Sequence, residues 1–117
     1  MKKVRKEYYS DYLELAEANT CNTIYPMAIA EGVQQGDIYT DNKENYQYAL
    51  FWHESGFAYI SGHPGPEDLD AVYSLMKNDS GNNPRRFVLE TNDEPVASFF
   101  GEKEDIERHP RYGLRLR

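Results

Sequence analysis

The sequence has little of what disulfide-linked, metal-clustered or membrane-spanning proteins need. Cys21 is the one cysteine in 117 residues, which excludes an internal disulfide and a cysteine-based metal cluster. No window approaches the ~20 apolar residues of a membrane span. The basic N-terminus is followed by polar residues where a secretory signal has an apolar stretch. We therefore expect one soluble, cytoplasmic domain covering residues 1–117, with no membrane partner.

Positive charge is scarce over most of the chain. The formal net charge is −7, and residues 7–84 alone carry −11, whereas residues 1–6 carry +4. This balance disfavours a nucleic-acid backbone as the partner. The C-terminal third has a basic end, which is either an ordinary solvated terminus or a docking surface for an acidic second domain or second copy. Its arginines are Arg85, Arg86, Arg108, Arg111, Arg115 and Arg117.

Motifs for catalysis are missing as well. The chain has neither a Walker-type nor a dinucleotide-binding glycine loop, and its three histidines lack the spacing of metal ligands. Ser55 and Ser61 stand outside any nucleophile-elbow pattern. Cys21 is expected to be a small buried residue at a helix junction, with a Cys21–His nucleophile pair as the least favoured alternative. We predict no catalytic residue and no metal site in this chain.

Aromatic residues, by contrast, are abundant, with ten Tyr and five Phe. They concentrate in a predicted hairpin over residues 46–61, whose strands are Tyr46–Trp52 and Phe57–Ser61, with Gly56 in a left-handed turn between them. Near-continuous apolar character favours strands that are covered on both faces. We expect this hairpin to form the centre of the sheet.

Four helices are predicted around the hairpin. The first covers Glu7 to about Ala18. The second is capped by Asn22 or Thr23, with Pro26 in its first turn. The third begins at Pro66, with acidic residues in its first turn and an apolar stripe through Met76. The fourth is opened by Thr91 or Asn92 and runs to about Arg108.

The remaining segments complete an α+β prediction. The polar stretch Asp37–Asn45 is predicted to be a loop and Arg86–Glu90 a third strand. Residues 112–117 are predicted to form a half-buried final strand with an unpaired edge. Together they predict a sheet of about four mostly antiparallel strands with helices packed on it. The loop offers Tyr39, Asp41 and Asn42 as the rim of a small-molecule site, and a plain solvated loop is the alternative.

Several short segments, read together, resemble a known family. They are Asn22-Thr23-Ile24-Tyr25, Glu31-Gly32, Asp41, Ala49-Leu50-Phe51, Gly56–Gly62 and Arg111–Leu114. The pattern is similar to the N-terminal half of a bacterial family of GNAT-type acetyltransferases, whose members include antibiotic self-resistance N-acetyltransferases. The resemblance extends from about residue 10 to residue 117.

The resemblance implies a function divided between two halves. Acetyl-CoA would be bound by a C-terminal half, through a [QR]xxGx[GA] loop at a helix start that this chain lacks. This chain would then hold no cofactor and would be inactive alone. Its role would be to shape the acceptor cleft with Asn22, Tyr25, Asp41 and Asn42. The alternative is a free-standing ligand- or protein-binding module, expected to be dimeric through its sheet edge.

Overall fold

The computed structural model describes residues 1–41, 47–79, 86–109 and 113–116. Over these residues the chain forms one seven-stranded sheet in the order β1-β2-β3-β4-β5-β7-β6. The strands are β1 (Lys2–Lys3), β2 (Gly36–Thr40), β3 (Tyr48–His53), β4 (Phe57–Gly62), β5 (Val88–Glu90), β6 (Ile106–His109) and β7 (Gly113–Leu116). The α-helices are α1 (Leu13–Glu17), α2 (Ile24–Ala30), α3 (Pro66–Asp79) and α4 (Glu94–Gly101).

The predicted α+β class and the mostly antiparallel sheet are confirmed, whereas the strand number of about four is too low. Six of the sheet's neighbouring pairs are described, and only β4 and β5 run parallel. The additional strands are short or polar. A two-residue strand such as Lys2–Lys3 has no hydrophobic pattern of its own and depends on its neighbour for hydrogen bonds.

The predicted hairpin is the centre of the sheet. Strands β3 and β4 pair antiparallel, with Phe51 opposite Tyr59 and Trp52 opposite Ala58. All six residues of β3 are buried, as the continuous apolar pattern predicted. Gly56 has a φ of 104° in the turn, a conformation that glycine adopts without strain. Tyr46 lies outside the described residues.

Helices cover the sheet on both faces and divide the core in two. On one face α3 and α4 pack over Leu50, Trp52 and Leu89. On the other face α1, α2 and a 3-10 helix (Lys6–Tyr12) pack over Ala49 and Phe51. Alternate residues of β3 therefore belong to opposite clusters, because successive side chains of a strand point to opposite faces.

The first helix was predicted in the right place but only partly with the right geometry. The predicted range of Glu7 to Ala18 contains the 3-10 helix followed by the short helix α1. Tyr9, Tyr12 and Ala16 of this segment are buried, at a spacing that keeps one face of the segment against the core. None of the helices among the described residues combines the length and apolarity that crossing a bilayer demands.

The predicted loop Asp37–Asn45 is wrong in its first part, because Gly36–Thr40 is strand β2. Its polar residues concealed the alternation that places Ile38 and Thr40 in the interior, where each is almost fully buried. Ile38 pairs with Phe51 and Thr40 with Ala49 in the neighbouring strand. The rest of that predicted loop, residues 42–45, lies outside the described residues.

The predicted fourth helix is too long and its cap is misplaced. Helix α4 ends at Gly101, and residues up to Arg108 form strand β6 instead. Asp93, rather than Thr91 or Asn92, caps the helix by accepting a hydrogen bond from Val96 N at 3.2 Å. The residues that follow include Ile106, which is buried against the α3–α4 core in a strand that pairs with β7, so they are not available to extend the helix.

The final strand is not an edge, contrary to expectation. Strand β7 pairs with β5 through Leu89 and Leu114 and with β6 on its other side. The edges of the described sheet are β1 and β6. A strand at the end of a chain can still be inserted between two others, and in this protein the preceding strand takes the outer position.

Candidate functional site

A polar pocket lies at the carboxyl ends of the two parallel strands. It has a volume of about 450 Å³. Its walls come from the end of α1 and the loop after it, from the end of β4, and from the segment after β5. The lining residues include Asn19, Thr20, Cys21, Ser61, Glu90 and Asn92. Helix α3 connects β4 to β5, and ligands of such β-α-β units bind outside the carboxyl ends of the strands.

Asn19 holds the loop after α1 against the end of β4. Its side-chain nitrogen donates to Ser61 Oγ at 2.9 Å and to the Ile60 carbonyl at 3.1 Å. Its side-chain oxygen accepts from the backbone N–H groups of Cys21 and Asn22 at 3.0 and 2.9 Å. All the hydrogen-bonding groups of this buried carboxamide are therefore used, which fixes the wall of the pocket.

A second link joins the same loop to the segment after β5. Thr20 Oγ1 donates to Asn92 Oδ1 at 2.6 Å, and Asn92 Nδ2 donates to the Thr20 carbonyl at 2.9 Å. These two bonds connect residues that are 72 positions apart in the chain. The loop is thus attached to both strands that end at the pocket, and its polar groups have defined positions.

Tyr59, Glu90 and Asn22 form a polar cluster beside the pocket. Tyr59 is almost fully buried, and its hydroxyl donates to the Glu90 carboxylate, the residue paired with it across the parallel strands. Asn22 Nδ2 donates to the same hydroxyl at 3.5 Å. Burial, and then the negative charge of Glu90, raise the pKa of Tyr59. The phenol is therefore held protonated next to a carboxylate.

Tyr25 is positioned by an aromatic stack. Its ring lies parallel to that of His53, with centroids 4.1 Å apart, and meets the Tyr59 ring edge-on at 6.2 Å. His53 accepts a hydrogen bond at Nδ1 from Ser55 N at 3.0 Å. The proton of a neutral His53 ring is thereby assigned to Nε2, which donates to Gln34 Oε1 at 2.6 Å.

Cys21 is exposed, which corrects the expectation of a buried residue. It follows Asn19 by two positions, and the turn that Asn19 caps directs the thiol to the pocket wall. Partial burial of the sulfur, and then the charge of Glu90, raise the pKa of the Cys21 thiol. A raised pKa leaves less thiolate at neutral pH, so this environment does not activate the cysteine as a nucleophile.

The five residues predicted from the sequence are divided between two places. Asn22 and Tyr25 lie together at the Tyr59 cluster. Tyr39 packs on the opposite face of the sheet, against the core beneath α3 and α4. Asp41 follows the end of the same strand and accepts a hydrogen bond from Gln47 N at 3.3 Å. Asn42 lies outside the described residues.

Other pocket residues were missed by the sequence reasoning. Asn19 directly follows the predicted first helix, and Ser61 ends a predicted strand without a catalytic pattern. Glu90 and Asn92 were assigned only to a strand and a cap. The sequence does show polar residues directly after two predicted strands, but these mark a shared site only when the two strands are parallel. The parallel pairing of β4 and β5 itself could not be read from the pattern.

The arrangement suits the binding of a polar ligand. The pocket offers hydrogen-bonding side chains held on fixed backbone and the carboxylates of Glu90 and Asp93. Across the residues that the structure describes, no group of three or more His, Cys, Asp or Glu side chains is arranged to hold a metal ion. Comparisons of the chain with models of protein families, with curated proteins and with solved structures gave no match.

Proposed function

We propose that this chain is the acceptor-side part of a GNAT-like N-acetyltransferase, which shapes the cleft for the acceptor and does not catalyse acetyl transfer alone. The observation that carries the proposal is the pocket at the carboxyl ends of β4 and β5. Its position fits the general rule for β-α-β units, and one of its walls comes from the end of Gly56–Gly62, a segment named in the family resemblance.

The charge of the pocket favours an acceptor over a nucleotide cofactor. None of its lining residues is Lys or Arg, whereas Glu90 and Asp93 are acidic. The acceptor of an N-acetyl transfer is an amine, which is cationic at neutral pH when free and gains from nearby carboxylates. The phosphates of a CoA molecule would be repelled by the same groups.

The start of α3 is also unsuited to a pyrophosphate. A phosphate cradle uses backbone N–H groups at a helix start, and Pro64 and Pro66 have none. The remaining N–H of Gly65 donates to Asp68 Oδ2 at 2.7 Å, so the helix is capped by its own carboxylate. An incoming phosphate would have to displace a negative group that already satisfies this donor. These features support an accessory role for the chain.

The test uses the 117-residue chain with acetyl-CoA and with three matched amine pairs. The pairs are lysine and Nε-acetyl-lysine, glucosamine and N-acetylglucosamine, and spermidine and its N1-acetyl derivative. Amide NMR spectra of the labelled chain are recorded during each titration. We expect at least one free amine to shift the signals of Asn19–Asn22 and Glu90–Asp93, with a weaker effect from its acetylated form. Acetyl-CoA should leave these signals unchanged, and no product should form.

The pocket residues supply a control for that experiment. Glu90→Gln removes one carboxylate and keeps the shape of the side chain, so it should weaken amine binding. Glu102→Gln, an exposed change after α4, should leave binding unchanged. Acetylation of an amine by the chain alone, or saturable acetyl-CoA binding, would overturn the accessory role. Equal binding of the free and acetylated amines would overturn the assignment of the pocket.

A second candidate is a free-standing binding module, favoured by a pocket whose polar side chains are already held in place by hydrogen bonds. The two functions differ in what the natural gene product contains. An intact-mass measurement on the protein from its source cells distinguishes them. A mass near 13.6 kDa favours the binding module, and a mass about twice as large favours the acetyltransferase part.

Both candidates include a partner at an edge of the sheet, and we assign it to β6, one of the two edges of the described sheet. Strand β6 carries Glu107 and Arg108, with Arg115 beside them on β7. Two copies could pair their β6 strands antiparallel across a two-fold axis, which would keep equivalent faces of the two sheets on the same side. Glu107 would then lie opposite Glu107 of the second copy, or Arg108 opposite Arg108. This repulsion favours a different domain over a second copy. Light scattering after size-exclusion chromatography should show a monomer for the isolated chain.

A further inference from the structure

A second pocket lies at the start of β2, where β1 no longer covers this side of the strand. It has a volume of about 460 Å³ and shares no lining residue with the pocket at the ends of β4 and β5. Its walls come from the 3-10 helix, from the end of α2 and from the segment that leads from α2 into β2. We call it the edge pocket. Its lining residues include Lys6, Ile29, Glu31, Val33, Gln34 and Gly36.

Gly36 turns a backbone N–H group towards the edge pocket. Val4 N donates to the Ile38 carbonyl at 2.7 Å, so the backbone polar groups of Ile38 face β1 and not β3. Those of Gly36, two positions earlier in the strand, face the same way, because these groups alternate in direction along a strand. The Gly36 carbonyl accepts from the Tyr9 hydroxyl at 3.1 Å on this side. The Gly36 N–H has no partner there among the described residues.

Gln34 offers further donors, and its orientation is set by His53. Nδ1 of His53 accepts from Ser55 N at 3.0 Å, so the proton of the neutral ring lies on Nε2. This Nε2 donates to Gln34 Oε1 at 2.6 Å, which fixes the oxygen of the carboxamide towards His53. Within the part of the chain that the structure describes, Gln34 Nε2 has no hydrogen bond. Its two N–H groups therefore remain for a ligand.

The edge pocket carries charges of both signs that cancel. Its charged lining residues are Lys6, Glu7 and Glu31. Glu7 is already paired with Arg5, with 2.8 Å between Oε1 and Nη2. Lys6 and Glu31 form no ion pair in the ranges that the structure describes. One ammonium and one carboxylate are thus left for a ligand, so a zwitterion is favoured over a simple anion or a simple cation.

The same pocket has an apolar side. Ile29 and Ala30 line it and are buried beneath it, whereas Val33 is 74% exposed. An aliphatic group of a ligand that lies on Val33 would remove apolar surface from water, which favours binding. The pocket therefore combines backbone and amide donors, one charge of each sign and an aliphatic surface.

We propose that the edge pocket binds a free α-amino acid with an aliphatic side chain. The carboxylate of the ligand would accept from Gly36 N and Gln34 Nε2, with Lys6 as its counter-charge. Hydrogen bonds to a charged acceptor are stronger than those between neutral groups. The ammonium group would face Glu31, and the side chain would lie on Val33. Because both charges stay partly in water, we expect a Kd on the order of 10⁻³ M.

The proposal does not depend on the acetyltransferase assignment. An amino acid is itself an amine, so it could also enter the pocket at the ends of β4 and β5, and the two sites report separately. A response of Gly36 and Gln34 without one at Glu90–Asp93 would support the edge pocket even if the acetyltransferase assignment fails. A response confined to Glu90–Asp93 would overturn the edge pocket and leave the proposed function standing.

The test titrates L-leucine, glycine, N-acetyl-leucine and leucinamide into the ¹⁵N-labelled chain. The NMR signals to follow are the backbone amide of Gly36 and the side-chain NH₂ group of Gln34. We expect saturable shifts with leucine, and binding of glycine weaker by at least about fivefold, because glycine has no aliphatic group. An absence of saturable shifts up to about ten times the expected Kd would overturn the proposal as a whole.

The two derivatives separate a free amino acid from the end of a peptide. N-acetyl-leucine keeps the carboxylate without the ammonium, as a C-terminal residue does, and leucinamide keeps the ammonium without the carboxylate, as an N-terminal residue does. Each should bind at least about fivefold more weakly than leucine, because each leaves one charge of the pocket unpaired. Binding of either derivative as tight as that of leucine would overturn the assignment to a free amino acid.

Variants assign the binding to the lining residues. Gln34→Glu keeps an acceptor for His53 but replaces the NH₂ donors by an oxygen that repels a carboxylate, so it should weaken leucine binding at least about tenfold. Lys6→Gln, an exposed change that does not endanger the fold, should weaken binding about threefold or more. Lys2→Gln is the matched control, because Lys2 is exposed in the same basic segment and outside the pocket lining. Unchanged binding by Gln34→Glu, or equal binding by Lys6→Gln and Lys2→Gln, would overturn the site.

Discussion

The carboxamide of Asn19 hydrogen-bonds to Ser61, 42 positions away, at 2.9 Å. The same nitrogen also donates to the Ile60 carbonyl, so a single side chain connects the loop after α1 to the end of β4. Because its oxygen meanwhile caps the turn at Cys21 and Asn22, the loop cannot move without breaking several bonds together. The wall of the candidate pocket therefore depends on this residue.

Asn19→Ala should be among the most destabilising polar substitutions in the chain. It leaves buried groups on Ile60 and Ser61 without their partner, and each such group costs about 1–3 kcal/mol. We expect the free energy of unfolding to fall by about 2–4 kcal/mol. Urea denaturation followed by Trp52 fluorescence measures the change, since Trp52 is fully buried in the folded protein.

Asn22→Ala is the comparison for that variant. The Asn22 side chain accepts a hydrogen bond from Ile24 N at 2.8 Å and so caps the start of α2. Loss of such a cap lowers the free energy of unfolding by about 1 kcal/mol. Both changes remove an asparagine side chain from the same loop, but only Asn19 is buried. A loss for Asn19→Ala no larger than that for Asn22→Ala would contradict the role assigned to Asn19.

The central hairpin could be predicted because its signal is local. Trp52 and its neighbours form an apolar run that only a strand covered on both faces accommodates, and Gly56 marks the turn. Strand β2 was missed because its assignment depends on its neighbours. Its polar residues fit a loop equally well until pairing with β3 buries Ile38 and Thr40.

The candidate site was predictable only in part for a similar reason. Asn22 and Tyr25 follow from local segments and from the family resemblance. Ser61 and Asn92 become pocket residues through the parallel pairing of β4 with β5, which brings together residues about 30 positions apart. A single sequence gives no information on that pairing, because a helix between two strands also fits other sheet orders.

The cap of α4 gives a second prediction. Asp93→Ala should lower the free energy of unfolding by about 1 kcal/mol, because the Asp93 carboxylate accepts from Val96 N and lies at the positive end of the helix. Thr91→Ala should lower the free energy of unfolding by less, because the Thr91 hydroxyl only accepts a hydrogen bond from Asp93 N, which lies outside the helix. Chemical denaturation of both variants decides which residue is the cap. A larger loss for Thr91→Ala would favour the cap predicted from the sequence.

Two glycines with positive φ give a third prediction. Gly113 has a φ of 97°, and a Cβ there would lie 2.3 Å from the Leu89 carbonyl oxygen. Gly113→Ala therefore adds a clash with a neighbouring strand to the conformational strain, and we expect a loss of more than about 3 kcal/mol. Thermal unfolding followed by circular dichroism measures it.

Gly32→Ala separates the strain from the clash. Gly32 has a φ of 75° after α2, and a Cβ there would meet no atom within 4 Å. Its alanine variant should lose only the cost of the left-handed conformation, about 1 kcal/mol. Equal losses for the two variants would show that β7 is not packed against β5 as the structure has it.

The fourth prediction concerns alkaline pH. Burial and the Glu90 carboxylate raise the pKa of Tyr59, so the folded protein keeps this proton above the usual pKa of 10.0. The unfolded chain releases it near pH 10 and then binds fewer protons than the folded chain. By linkage, the free energy of unfolding falls as pH rises above 10, by at most about 1.4 kcal/mol per pH unit for this group.

Tyr59→Phe removes the titrating group, so the free energy of unfolding should decrease less steeply with pH above 10. The loss of the bond to Glu90 lowers the stability at neutral pH, but it does not change this slope. Tyr8→Phe is the matched control, because Tyr8 is 51% exposed and its change should leave the pH slope as it is in the wild type. Urea denaturation at several pH values between 9 and 11 gives the slopes. Identical slopes for Tyr59→Phe and Tyr8→Phe would contradict a protonated, buried Tyr59, because the slope depends on the difference in proton binding and not on the stability at neutral pH.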